Sequence, residues 1–384
     1  MNRRTEDSRT DTIPVFKPLL EAEELDAAKQ SLEMGWLGMG SFVQAFEQAL
    51  AKVIGAPDRH VAAVSTGHAA LHLGLMLAGV GPGDEVITPA FNNIADFQAI
   101  GAVGAEPVFC DIDEETLCID VAQAESLVSP RTKAVIVMDY AGAVCDHDAA
   151  AGLARRHGLR IIHDAAHSLG SSYGGRRIGS FSDICMFSFD PVKTVTCIDG
   201  GALVVRRREE LQAVHEMRLM GMGQPSEVMY RDQRAWTYDV RHLGFRYHMA
   251  NLHAAIGVAQ LSKMDRISSS RRRLARRYGE RLAGVRDVIT PRIEDGITPL
   301  LYTIRVPAGR RSGFRRHLRE RGVDTGIHWQ PGHRFTLFRD CRKGDLAVTD
   351  RIASEIVSLP LHSCMSEEIV DRVAATVAAF FGQT

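Results

Sequence analysis

Short apolar runs alternate with helix-period segments over the first two thirds of the chain. Seven runs read as strands: HVAAVS (60–65), EVITP (85–89), PVFCDI (107–112), AVIVMDY (134–140), RIIHDA (160–165), DICMFSF (183–189) and GALVVR (201–206). They are almost continuously hydrophobic, as strands are when a parallel sheet is covered on both faces. Helical patterns lie between most of them. One begins near Gly67 (HAALHLGLMLAGVG), and another, HDAAAGLARRHG, ends on Gly158, a helix stop. Strand–helix alternation predicts an α/β layered domain, with any ligand at the carboxyl ends of the strands. The last two runs are joined without a helical pattern, so a reversed, hairpin-like strand is expected there.

The texture changes near residue 252. LHAAIGVAQLSKMDRISSSRRRLARRYGERLAGV reads as one long helix. TPLLYTIRVPA then reads as a strand, FRRHLRERGV as a helix, and SEEIVDRVAATVAAFFG as a closing helix. The expected organisation is a mobile N-terminal arm over 1–14, a large α/β domain over 15–251 and a small α+β domain over 252–384. No internal repeat or low-complexity tract is present.

Composition narrows the function classes. The formal net charge is -1 over 384 residues, which gives no global field for nucleic acid. The basic cluster SRRRLARRYGERL has no interleaved aromatic residues and reads as a solvated helix face. No run is long and apolar enough to span a bilayer, and the polar N-terminus lacks a signal peptide's apolar centre. A cytoplasmic protein is expected. Its seven cysteines include no C-x-x-C pair and fit buried free thiols. Only seven of the 46 basic residues are lysines. In such a chain, a lysine at a strand end invites chemistry that arginine cannot do, such as attack of a free amine on a carbonyl.

The segment IIHDAAHSLGSSYGGRRIGSFSDICMFSFDPVKTVTCIDGGALVV concentrates the candidate chemistry. Asp164 closes an apolar strand, and a carboxylate there needs a partner. The protonated pyridine nitrogen of pyridoxal phosphate (PLP) would be one. His167 follows three residues later, Ser188 ends the next strand, and Lys193 lies five residues beyond it, past Pro191. Asp199-Gly200-Gly201 forms a turn where backbone must pass closely. Two blander readings exist: a His163-x-x-x-His167 zinc pair, and a helix-capping Asp164 beside a surface Lys193. His163 belongs to the strand rather than a helix, so no metal site is expected. The joint occurrence of Asp164 and Lys193 argues against the second.

These motifs resemble the DegT/DnrJ/StrS family of nucleotide-sugar aminotransferases, of PLP fold type I. The resemblance runs from Gly35-Trp36-Leu37-Gly38 and Phe46-Glu47, through GPGDEVITPAF, EPVFCDID, SPRTKAVIVMDYAG and HDAAHSLGSSYGGRRIGS, to Leu359-Pro360-Leu361-His362. It implies a large domain with a mostly parallel seven-stranded sheet covered by helices, and a smaller C-terminal domain. It implies that Lys193 holds PLP as a Schiff base and shuttles the proton. Asp164 pairs with the pyridine nitrogen and His167 with the ring hydroxyl. Ser188 and the amides of Gly67 and His68 bind phosphate, and Phe91 stacks on the ring. Arg246 stands where the family has an asparagine that reaches the partner subunit's phosphate. Trp36, His328, Trp329 and His333 are the expected substrate-facing residues; Trp329 reads equally well as a core residue beside a turn. The implied reaction moves an amino group from glutamate or glutamine to a nucleotide-linked keto-sugar, with pyridoxamine phosphate as the intermediate, in a homodimer with shared active sites. His68, Arg246, Asn92-Asn93 and Asp96 depart from the family pattern. They keep two alternatives open: a keto-cyclitol acceptor, or a PLP-binding homologue without turnover.

Overall fold

The computed structural model describes residues 12–223 and 226–382. The expected arm falls largely on residues 1–11, which lie outside the described residues. The first half comprises α1 (Ala22–Met34), α2 (Ser41–Ile54), β1 (His60–Val64), α3 (Gly67–Leu77), β2 (Glu85–Pro89), α4 (Ile94–Ala102), β3 (Glu106–Cys110), α5 (Val121–Ser126), β4 (Thr132–Met138), α6 (His147–His157) and β5 (Arg160–Asp164). A two-residue hairpin, β6 (Ser172–Tyr173) and β7 (Arg176–Arg177), precedes β8 (Ile184–Ser188), β9 (Gly201–Val205), α7 (Arg208–Met217) and α8 (Ser226–Tyr230). The remainder is α9 (Asn251–Ser262), α10 (Met264–Leu282), β10 (Tyr302–Arg305), α11 (Ala308–Glu320), α12 (Ala347–Glu355), β11 (Ile356–Leu359) and α13 (Glu367–Phe380).

All seven apolar runs become strands of one sheet, ordered β1-β9-β8-β5-β4-β2-β3. Strand β9 is antiparallel to both β1 and β8, and the other pairings are parallel. The reversed strand is thus the one expected after the helix-free connection. Apolar clusters line both faces of the sheet, which is why strands such as β9 carry no alternation of polar residues.

The long helix expected from residue 252 is two helices. They break at Lys263, whose ammonium is buried and ion-paired with Glu24 at 2.5 Å and Glu21 at 3.2 Å. Burying a lysine demands such partners, and reaching α1 for them turns the chain. Helix α9 packs on α1 and α2, so the expected boundary at 251/252 opens a helix that still belongs with the large sheet's layers. Helix α10 instead packs on α13, around a separate core with the antiparallel pair β10–β11. Ile13 is buried in that core and bridges Val323.

Candidate active site

Sheet register assembles the site. Asp164 ends β5 beside Met138 of β4 and Met186 of β8. Ser188 ends β8 opposite Gly201 of β9, and Gly201 also faces Val64 of β1. Helix α3 starts three residues after Val64, so its N-terminus lands beside Ser188. Two glycines permit this approach. A Cβ on Gly67 would lie 2.8 Å from Ser188 Cβ, and one on Gly201 would lie 2.2 Å from the Thr66 carbonyl oxygen. Thr66 caps α3 by accepting the Ala69 amide at 2.9 Å. The amides of Gly67 and His68 precede the first intrahelical donors and sit at the positive end of the helix dipole, a ready site for an anion.

Lys193 lies in the loop between β8 and β9. Its amide donates to the Asp190 carbonyl at 3.0 Å, and the Val192 amide donates to the Asp190 carboxylate at 3.0 Å. The Lys193 side chain is half-buried in the cavity wall. Burial pushes the amine's pKa below its ordinary value, against the pull of Asp164, Asp190 and Asp96. A lowered lysine pKa favours the free amine that nucleophilic attack requires.

Asp164 is 3% exposed and accepts the Ala166 amide at 2.9 Å. Burial raises its pKa; that amide and the Lys193 charge oppose the rise. His167 is also buried, and burial followed by the Lys193 charge holds its pKa well below the ordinary range. The neutral ring accepts the Ala141 amide on Nδ1 at 3.3 Å, which leaves Nε2–H free to donate. Trp329 stacks on His167 with ring centres 5.9 Å apart, and its indole N–H is buried with no partner.

Gly67, His68, Asp164, His167, Ser188, Lys193 and Trp329 thus line one cavity of about 380 Å³. Two larger cavities of about 660 and 640 Å³ carry no lysine beside a buried carboxyl among their walls. The other expected residues lie elsewhere. Phe91 is 1% exposed and packs on Tyr140 with ring centres 5.4 Å apart; Asn93, two residues on, reaches the cavity instead. His328 borders the site: its carbonyl accepts from Tyr140 and its ring feels the Lys193 charge. His333 is bound to Asp350 at 3.1 Å. The Trp36 indole donates to the Met39 carbonyl at 2.8 Å, beneath Arg234. Arg246 is exposed and its backbone bridges Leu219, outside the cavity wall. Thr66, Asn93, Asp190 and Asp199 also line the cavity and were not singled out as site residues from the sequence.

The residues fit a phosphorylated pyridine aldehyde. A lysine amine, a buried carboxyl, a neutral imidazole donor and a helix N-terminus meet around one cavity, whose wall also holds Trp329 with its unpartnered indole N–H. Among the described residues one group has metal-ligand geometry: Asp139, His147 and His163. Its atoms are already engaged. His163 Nε2 meets Asp139 at 2.8 Å and its Nδ1 meets Ser182 at 2.7 Å. The other Asp139 oxygen accepts from the Cys145 amide at 3.0 Å and meets His147 Nε2 at 3.1 Å. This network lies behind the site, and the Asp139 amide donates to the Asp164 carbonyl at 3.2 Å.

Comparisons with known proteins identify the fold and the family. Residues 18–378 match the model of the DegT/DnrJ/EryC1/StrS aminotransferase family. The aminotransferase TlmJ from Streptoalloteichus hindustanus superposes with a TM-score of 0.89 at 33% identity, over 96% of this chain and 99% of that one. DesV of S. venezuelae, solved in complex with a ketimine intermediate, superposes with a TM-score of 0.88 at 31% identity, over 98% and 100%. A candidate sugar aminotransferase from Streptococcus pneumoniae, solved in its PMP form, gives 0.87 at 26% identity, over 96% and 99%.

Proposed function

The chain belongs to the DegT/DnrJ/EryC1/StrS aminotransferase family, and from that premise we propose that it moves an amino group from glutamate or glutamine to a 4-keto or 3-keto nucleotide-linked sugar. The single observation that carries the chemistry is that Lys193, Asp164 and the N-terminal residues of α3, Gly67 and His68, line one cavity. Bound PLP supplies an electron-withdrawing ring that takes up charge when an adjacent carbon loses its proton. Lys193 would hold the cofactor's aldehyde carbon through its amine; once the donor's amine displaces that bond, the freed Lys193 amine would be the base that accepts the donor's Cα proton. Asp164, as a carboxylate, would keep a proton on the ring nitrogen. His167 would donate Nε2–H to the ring oxygen. The amides of Gly67 and His68, with the Ser188 hydroxyl, would hold the phosphate. Trp329, stacked on His167, forms part of the cavity wall.

The same groups run the second half-reaction in reverse, so the kinetics are ping-pong. The test is two single half-reactions, with a panel of amino donors and then a panel of keto-sugars and keto-cyclitols. Amine transfer to a nucleotide-linked keto-sugar supports the proposal. Transfer only to a keto-cyclitol would replace the acceptor, and transfer to neither would leave a binding protein without turnover.

The active unit is a homodimer with shared sites, cytoplasmic in location. Four exposed apolar residues support the dimer: Trp236 at 87%, Leu243 at 85%, Tyr238 and Val240. They project from the segment that also carries Arg246, and large exposed apolar patches mark interaction surfaces. Light scattering at working concentration should give twice the chain mass; a fully active monomer would contradict it. Among the described residues no helix is long and apolar enough to cross a membrane.

A further inference from the structure

We infer that Asp96 is a built-in hydrogen-bond donor to Asp164: its carboxyl stays protonated in the folded protein and gives its Oδ1–H to the Asp164 carboxylate, fixing that group's charge and orientation at the cavity. Asp96 lies in the first turn of α4 and is 0% exposed. Its neighbour Asn92 is 1% exposed. The Asn92 side-chain oxygen accepts the Asn93 amide at 2.6 Å, so the Asn92 nitrogen must be the atom that faces Asp96. That nitrogen donates to Asp96 Oδ2.

Asp96 Oδ1 has no donor at all. An ionised oxygen buried without a donor is costly, whereas a hydroxyl in that place needs only an acceptor. The acceptor is at hand, because the Asp164 carboxyl is within hydrogen-bonding reach. Two buried carboxyls this close cannot both ionise, so they share one proton. The proton rests on Asp96. Asp164 has the Ala166 amide and the Lys193 charge to support an anion. Asp96 has the Asn92 amide and feels Lys193 as its weakest influence, and burial followed by the Asp164 charge drives its pKa well up.

Asp96 is therefore a positioning residue that acts through Asp164. Without its donor, burial would leave the proton on Asp164, and a neutral Asp164 cannot hold a proton on a ring nitrogen. That consequence rests on the PLP reading; the protonation of Asp96 does not.

The test uses the whole protein, two variants at Asp96, and Asp164→Asn added to the second. Asp96→Asn keeps a donor toward Asp164 and an acceptor toward Asn92; Asp96→Ala removes both. Infrared difference spectra are taken at neutral pH on cofactor-free protein. The parent should show a carboxylic-acid C=O stretch that Asp96→Asn abolishes. Asp96→Ala should show an acid stretch from Asp164, which Asp164→Asn then removes. PLP affinity, read by absorbance titration, should stay within about threefold in Asp96→Asn and weaken by about tenfold or more in Asp96→Ala, the usual size of a lost hydrogen bond to a charged group. A parent spectrum without the acid band, or a band that survives Asp96→Asn, overturns the inference. Equal affinity in parent and Asp96→Ala does so as well. A protein that never forms a reducible adduct with PLP at Lys193 sinks the cofactor reading instead, and the infrared band still decides the protonation of Asp96.

Discussion

Replacing Gly201 by alanine tests whether backbone packing sets the anion site. Gly201 pairs with Ser188 on one side and Val64 on the other. A Cβ there would meet the Thr66 carbonyl oxygen at 2.2 Å, the Thr66 carbonyl carbon at 2.5 Å and the Gly67 nitrogen at 2.8 Å. These are main-chain atoms, so no side chain can rotate away. Ordinary contact begins at 3.4 Å, so the Thr66 carbonyl must retreat by about 1.2 Å, and the N-terminus of α3 moves with it. Overpacking of this kind costs roughly 1–3 kcal/mol of stability. A misplacement near 1 Å costs about 100-fold in a positioned reaction. PLP affinity and turnover in Gly201→Ala should both fall far more than in Gly74→Ala. The latter alters the same helix, but its new Cβ meets nothing nearer than 3.4 Å. Parent-like stability and PLP affinity in Gly201→Ala would refute the reasoning.

Other expectations follow from buried polar groups. Asp139→Ala strips the acceptor from His147, His163 and the Cys145 amide, and should cost about 3–5 kcal/mol in urea unfolding; a loss under 1 kcal/mol would deny the network its role. His362 is 4% exposed with both ring nitrogens unpartnered, and burial, then Arg271 and Lys17, lower its pKa from 6.5 to about 4. Above pH 6.5 the ring is neutral in both states. Below it the unfolded ring binds a proton that the folded one refuses until about pH 4, so stability falls across that window by up to roughly 3 kcal/mol. His362→Phe should flatten that fall, and unchanged pH slopes would contradict it. In thiol titration of the native protein, exposed Cys364 should react first and half-buried Cys341 more slowly, while the five buried cysteines wait for unfolding.

The seven strands were legible because each is a continuous apolar run bounded by turn residues. Their order was not, since crossovers leave no mark on periodicity. Asp164, Ser188 and Lys193 converge as read, because strand register carries their spacing into space. Phe91 lies off the cavity wall for a local reason. Beyond Pro89 the chain leaves the strand, Phe91 turns into the core against Tyr140, and Asn93 takes the cavity wall. The helix break at Lys263 was hidden because the helical pattern runs unbroken across it; only the remote carboxylates Glu21 and Glu24 explain it. His333 and Arg246 were placed by motif alone, and a nearby Asp350 and an exposed loop decide their positions. Asp96 stood out in the sequence as an unusual acid, but its pairing with Asp164 needs α4 and β5 in three dimensions.

The central claim is that Lys193 carries PLP. The most direct measurement is the absorbance spectrum of the purified protein with added PLP, before and after borohydride, followed by peptide mapping, beside Lys193→Ala. A visible band that borohydride bleaches, leaving the cofactor's mass on the Lys193 peptide and no adduct in Lys193→Ala, is the predicted result. A spectrum that PLP does not change, or an adduct on another lysine, would contradict the account.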